Sequence, residues 1–139
     1  MARTNATAAE ALERVPLLSE VSKRDRRALA SSMKEQRIAA GKQLLVEGRR
    51  GVGFFVIAEG SAAVSIGGEV IRMLGPGDYF GEMALVDGGT RSATVTADSE
   101  MTVLAMSSWT FKGFVQDNPS VAWALLQTMA QRLRESSLR

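Results

Sequence analysis

Apolar and polar positions near the start of the chain follow a helical spacing. Ala8 to Val15 is predicted as a short helix that ends before a proline. A second helix is predicted from Ser22, whose hydroxyl can cap its first turn, to about Gln36. The chain therefore opens with helical structure.

From Gly41 to Gly89 the pattern changes to short apolar runs separated by glycine. Twelve of the 13 glycines lie in this window, and the pair Gly67-Gly68 predicts a hairpin turn. The predicted strands are Gln43–Val46, Phe54–Ala58, Ala62–Ile66, Glu69–Leu74, Ser92–Ala97 and Met101–Met106. Short strands at nearly regular spacing are typical of an antiparallel barrel or sandwich.

After Ser107 the helical spacing returns. A short helix is predicted from Trp109 to Val115, and a longer one from Ser120 towards Leu138, begun by an Asn-Pro pair. The longer helix has an apolar stripe formed by Leu126, Met129 and Leu133, with Trp123 nearby. Two interpretations of this stripe stay open, namely packing against the barrel or contact with an effector protein or a second copy of the chain.

Composition excludes several classes of chemistry. The 139 residues contain no cysteine and no histidine, so disulfides, thiolate nucleophiles, histidine triads and the usual zinc sites are excluded. No apolar run is long enough for a membrane helix, and the first residues lack a secretion signal. We therefore expect a single cytoplasmic domain that is not an enzyme, holds no metal and has no membrane partner.

Charge is distributed unevenly along the chain. Residues 1–50 carry a net charge of +5, residues 51–107 carry −5, and residues 108–139 carry +2. The basic run Lys23–Arg27 is interpreted as the solvated face of a helix, with contact to a phosphate or an acidic partner as the alternative. No aromatic residues interleave with these cations, so no nucleic-acid binding is expected.

The segment from Gly75 to Val95 carries the candidate chemistry. Gly81 permits a close backbone approach, and a helical turn over Glu82–Val86 would present free N–H groups to an anion. Arg91 supplies a planar, permanently charged donor for phosphate oxygens, and Ser92 adds a hydroxyl. Glu82 would accept from a sugar hydroxyl. The alternative is that Glu82 and Arg91 form a structural ion pair.

This segment resembles the phosphate-binding cassette of the cyclic nucleotide-binding domain family. The match lies in Phe80-Gly81-Glu82-Met83-Ala84-Leu85, followed by Arg91-Ser92-Ala93. Similar segments elsewhere are Pro16-Leu17-Leu18, Phe55–Gly60, Gly75–Asp78 and Asn118-Pro119. The family includes bacterial cAMP receptor proteins, kinase regulatory subunits and gated channels.

The resemblance implies a mainly β fold, an antiparallel jelly-roll β-barrel (double-stranded β-helix) with N-terminal helices and C-terminal hinge and lid helices. It divides the single domain into an N-terminal extension (1–14), a helical part (15–36), a barrel (37–107) with the cassette at 80–93, and C-terminal helices (108–139).

The resemblance also implies roles for individual residues. Glu82 would bind the ribose 2′-hydroxyl and Arg91 the cyclic phosphate. Backbone contacts are implied for Gly81, Met83 and Ala84, and closure on the phosphate for Ser92 and Ala93. Apolar positions near the base are Val64 and Ile71, and base contacts from the last helix are implied for Ser136 and Ser137.

The implied function is a non-catalytic sensor that binds cAMP in preference to cGMP, by analogy with bacterial relatives, needs no cofactor, and signals through movement of its C-terminal helices. One alternative is a regulatory fragment or subunit of a larger transcription regulator or enzyme. Another is a degenerate domain that serves only as a protein-interaction module. The loop that carries Arg49, Arg50 and Val52 departs from the family's acidic pattern, which suggests a partner site there.

Overall fold

The computed structural model describes residues 2–49, 53–81, 91 and 93–137. Its helices are α1 (Ala2–Glu13), a 3₁₀ turn (Pro16–Leu18), α2 (Lys23–Ser31), α3 (Ser108–Asp117) and α4 (Pro119–Ser137). Its strands are β1 (Lys34–Ile38), β2 (Gln43–Leu45), β3 (Gly53–Glu59), β4 (Ala62–Ile66), β5 (Glu69–Leu74), β6 (Tyr79–Phe80), β7 (Thr94–Ala97) and β8 (Met101–Ser107).

The strands form two four-stranded antiparallel sheets that pack face to face. The strand orders are β1-β8-β3-β6 and β2-β7-β4-β5, so neighbouring strands are mostly distant in sequence. The predicted mainly β fold with flanking helices is confirmed.

Successive side chains of β3 point to opposite faces of the first sheet, and the apolar core is therefore divided into two parts. Phe54, Val56 and Ala58 face α1, α3 and α4, whereas Phe55 and Ile57 face the space between the sheets. The helices therefore cover the outer face of the first sheet, while its inner face meets the second sheet.

The second predicted helix is wrong in its last part. The structure ends α2 at Ser31, and Lys34–Ile38 forms β1, which pairs with β8. Four of the five β1 residues are exposed and only Ile38 is buried, so the segment has no alternating pattern of a strand. Because β1 is an edge strand, pairing with β8 rather than its own sequence determines its conformation.

Two of the three residues in the stripe predicted on the last helix are exposed to solvent. Leu126 and Leu133 are 57% and 68% exposed, and Trp123 is 62% exposed. The residues of α4 that are buried in the core are Val121 and Leu125. The interpretation as barrel packing is therefore wrong for Leu126 and Leu133, whereas Met129 of the stripe is half-buried.

Among the described residues, no helix combines the length and apolarity that a bilayer crossing requires.

Phe111 is the aromatic centre of the helix-facing core. Its ring stacks on Phe54 with centroids 3.8 Å apart, and its side chain is fully buried. Phe111→Ala is expected to lower the free energy of unfolding by about 3–5 kcal/mol, because it leaves a cavity. Trp109→Ala on the same helix removes an exposed ring and should cost less than about 1 kcal/mol. Urea denaturation followed by circular dichroism measures both, and equal losses would contradict this packing.

Candidate functional site

The backbone of Arg91 is tied to the loop that follows β2. Its N–H donates to the Arg49 carbonyl oxygen at 2.8 Å, and its carbonyl oxygen accepts from the Gly48 N–H at 2.9 Å. Nearby, the Glu47 N–H donates to the Thr94 hydroxyl at 3.1 Å. These bonds continue the pairing of β2 with β7, so Arg91 has a fixed position just before β7.

The side chain of Arg91 reaches from this edge to the opposite sheet. Its Nη1 donates to the Gly81 carbonyl oxygen and its Nη2 to the Gly53 carbonyl oxygen, both at 3.0 Å. Arg91 is only 5% exposed. Burial of a charge is costly unless polar groups surround it, so the two carbonyl dipoles both orient and stabilise the guanidinium. The result is a buried, immobilised cation of the kind that binds phosphate.

Gly81 allows the close approach that this arrangement needs. Its φ is +99°, a conformation that favours glycine, and a Cβ there would collide with the Gly53 carbonyl oxygen. The sequence predicted a close backbone approach at Gly81, and the structure shows that its neighbours are Gly53 and the Arg91 guanidinium.

The other predicted phosphate and ribose residues are only partly within the described chain. Ala93 is half-buried two residues after Arg91. The predictions for Glu82, Met83, Ala84 and Ser92 lie outside the described residues. The structure therefore brings Gly81 and Arg91 together, with Ala93 close to Arg91 in the chain.

The two predicted base-facing residues have different environments. Val64 is half-buried and packs against the core between the sheets, with Val95 and Arg72 opposite it on the neighbouring strands. Ile71 is 43% exposed. The β4–β5 pairing shifts by one residue between Val64 and Ser65, and this irregularity leaves Ile71 without a partner on β4. Arg72, rather than Ile71, is therefore the residue of β5 that lies opposite Val64.

Arg72 also links the barrel to the last helix. Its Nη2 lies 4.0 Å from the Glu135 Oε2 of α4, and both side chains are about half exposed. Ser136 and Ser137 form the end of α4, directly after Glu135, although their side chains lie outside the described residues. The ion pair thus places the end of α4 beside the strand that faces Val64.

Several functional groups carry no sequence signal. The carbonyl oxygens of Gly53 and Arg49 position Arg91, and any residue type supplies a carbonyl. Arg72 is an unremarkable charge in a strand until the β4–β5 register is known. Only the glycine at position 53 hints at a close contact.

Fold and site together define a β-sandwich domain with a buried arginine that is held by two backbone carbonyl oxygens. The model of the cyclic nucleotide-binding domain family matches residues 35–118, and the chain belongs to this family.

Similar proteins include fungal and bacterial regulators. The chain is 37% identical over 97 residues to a cAMP-dependent protein kinase regulatory subunit of Yarrowia lipolytica, covering 68% of this chain and 26% of that protein. It is 34% identical over 103 residues to the cyclic AMP receptor protein of Thermus thermophilus, covering 70% and 48%. The chain thus spans about a quarter to a half of the curated relatives it matches.

Solved structures agree with this fold. The crystal structure of the Thermus thermophilus catabolite activator protein superposes with a TM-score of 0.80 at 30% identity, covering 88% of this chain and 60% of that one. A structure described as cAMP-bound PfPKA-R superposes with a TM-score of 0.83 at 26% identity, covering 98% and 48%.

Gly81→Ala tests the packing of the site. The added Cβ would collide with the Gly53 carbonyl oxygen, whereas Gly41 has a similar positive φ of +89° but open space around it. Both alanine variants carry the cost of the unfavourable φ. Gly81→Ala is expected to lose about 1–3 kcal/mol more unfolding free energy than Gly41→Ala, because of the overlap. Denaturant titration compares the two variants, and equal losses would show that the contact is unimportant.

Proposed function

We propose that this domain is a non-catalytic sensor that binds cAMP more tightly than cGMP. The observation that carries the proposal is the Arg91 guanidinium, buried and held by the carbonyl oxygens of Gly53 and Gly81. A phosphate diester is the anion that the family binds, and a cation fixed in advance loses little entropy on binding it. The names of the relatives support cAMP over other cyclic nucleotides.

The proposed contacts follow the cassette. The cyclic phosphate binds Arg91, and the ribose 2′-hydroxyl donates to Glu82. The base packs beside Val64 and Ile71. The remaining contacts come from Gly81, Met83 and Ala84 through their backbone, from Ser92 and Ala93 near the phosphate, and from Ser136 and Ser137 at the end of α4.

Isothermal titration of the refolded chain with cAMP, after unfolding to remove carried ligand, tests the proposal. We expect micromolar or tighter binding, with cGMP weaker. Arg91→Ala should weaken cAMP binding about 100-fold or more, because it leaves a buried phosphate charge unpaired. Glu82→Ala should weaken binding less, by the roughly 1.5–3 kcal/mol of one charge-assisted hydrogen bond.

Arg37→Ala is the control for charge, because Arg37 is a highly exposed cation on β1. Unchanged affinity in Arg91→Ala would refute the phosphate site. If Glu82→Ala binds as tightly as the wild type, the structural ion pair with Arg91 is the better interpretation of Glu82. If neither cAMP nor cGMP binds, the result would favour the alternative of a degenerate domain that acts only as a protein-interaction module.

We propose that the C-terminal helices transmit the signal. The Arg72–Glu135 ion pair supports this, because it links the end of α4 to the strand beside Val64. A ligand that contacts both would bind better when α4 is docked, and would shift the population towards that state.

Charge reversal across this pair tests the coupling. Arg72→Glu and Glu135→Arg are each expected to weaken cAMP binding about 2- to 5-fold, within the roughly 1 kcal/mol that an exposed ion pair supplies. The double reversal should restore the affinity. Arg37→Glu is the matched control, since it breaks a second exposed ion pair, with Glu100, on β1 and β8. Equal effects of Arg37→Glu and Arg72→Glu on cAMP affinity would exclude a specific role of α4.

We also propose how the domain passes its signal to other parts of a regulator. The chain matches only part of its relatives, which fits a regulatory part of a larger transcription regulator or enzyme. The exposed stripe of Trp123, Leu126 and Leu133 would then meet an effector or a second copy of the chain. The cytoplasmic location stays a prediction.

A further inference from the structure

A cavity of about 700 Å³ opens between the two sheets beside Arg91. The proposed base-facing residues Val64 and Ile71 are not among the described residues that line it, and neither is Ala93. Its volume is within the range of sites for small organic ligands. Within the described part of the chain, Arg91 is the residue that this cavity shares with the proposed nucleotide contacts.

The cavity follows from the sizes of the side chains on the inner face of the first sheet. Ile57 and Val103 lie opposite each other and are fully buried in the core. Two residues further along, Phe55 lies opposite Ala105, and beyond them Gly53 lies opposite Ser107. The Phe55 ring lies over Gly53, where an added Cβ would meet it at 2.8 Å, and the small side chain of Ala105 leaves space between the sheets at this end.

Charge gives the cavity its chemical character. Lys34, Arg49 and Arg91 line it, and the described lining residues include no aspartate or glutamate. Lys34 of β1 lies opposite Ala105 of β8. Arg49 belongs to the loop that departs from the family's acidic pattern. Like-signed charges around one concave surface favour the binding of an anion there.

Part of the cavity lining is apolar. Leu44 and Leu45 of β2 line one side, and Phe55 of β3 lines the other. These side chains are half-buried and pack against the core between the sheets. An inorganic ion alone would leave this apolar surface exposed to water, whereas a ligand with an apolar body would cover it.

We propose that this cavity binds a small organic anion with a flat apolar body and a single acidic head group. Lys34 and Arg49 bind the head group, and the body packs against Leu44 and Phe55. The site is distinct from the nucleotide site and does not require that the domain binds cAMP.

Isothermal titration of the full chain with naphthalene-1-sulfonate tests this site. Sub-millimolar binding is expected. Sulfate alone and the neutral analogue 1-naphthalenemethanol should each bind at least 10-fold more weakly, since each lacks half of the recognised chemistry. Absence of binding by the sulfonate, or equal binding by one of the partial probes, overturns the proposal.

Two double variants with the same change in charge test whether the probe binds in the cavity. Lys34→Ala with Arg49→Ala should weaken naphthalene-1-sulfonate at least 10-fold. Arg37→Ala with Lys42→Ala removes two cations that do not line the cavity, and should leave the affinity within 2-fold. Equal effects of the two pairs would show that only net charge matters, and would overturn the proposal.

Ala105→Phe fills the cavity and is expected to abolish binding of the probe, with circular dichroism confirming the fold. If this variant does not fold, the two double variants decide the question. When the probe is titrated in saturating cAMP, its affinity should fall by less than 10-fold. Complete displacement by cAMP would place the probe in the nucleotide site instead, and would refute the separate cavity site. If the chain does not bind cAMP, the tests with the variants still apply, because they do not use cAMP.

Discussion

The structure depends on one buried guanidinium that joins the two sheets. Arg91 lies before β7 in one sheet, and its side chain donates to carbonyl oxygens of Gly53 and Gly81, which adjoin β3 and β6 in the other. Its backbone is bonded to the loop after β2. A buried cation needs fixed dipoles around it, so the ends of four strands are held where the charge requires them. The same constraint would fix the guanidinium in advance for the proposed phosphate contact.

Features set by local chemistry could be predicted from the sequence. Ser22 caps α2 as expected, accepting from the Asp25 N–H at 3.1 Å. Gly67 and Gly68 both have positive φ in the β4–β5 hairpin. The strands β1 and β6 were missed, because their conformations come from pairing with β8 and β3 rather than from an apolar pattern of their own.

The candidate site also contains residues that could be predicted from local chemistry and others that could not. Gly81 and Arg91 could be identified from their types and spacing, since few residues other than glycine adopt φ +99° and few bind phosphate as arginine does. Their partners could not, because a carbonyl such as that of Gly53 has no residue signature. The irregularity at Ile71 and the resulting place of Arg72 opposite Val64 depend on strand register, which is a tertiary property.

The two proposed anion sites would share one cation, and this sharing would have a thermodynamic consequence. Arg91 lines the cavity and also belongs to the proposed nucleotide contacts. Two anions near the same charge would repel each other. By linkage, an anion in the cavity must weaken the nucleotide by the same factor as the nucleotide weakens that anion. Antagonism of this kind needs no change of shape, so it would act independently of any movement of α4.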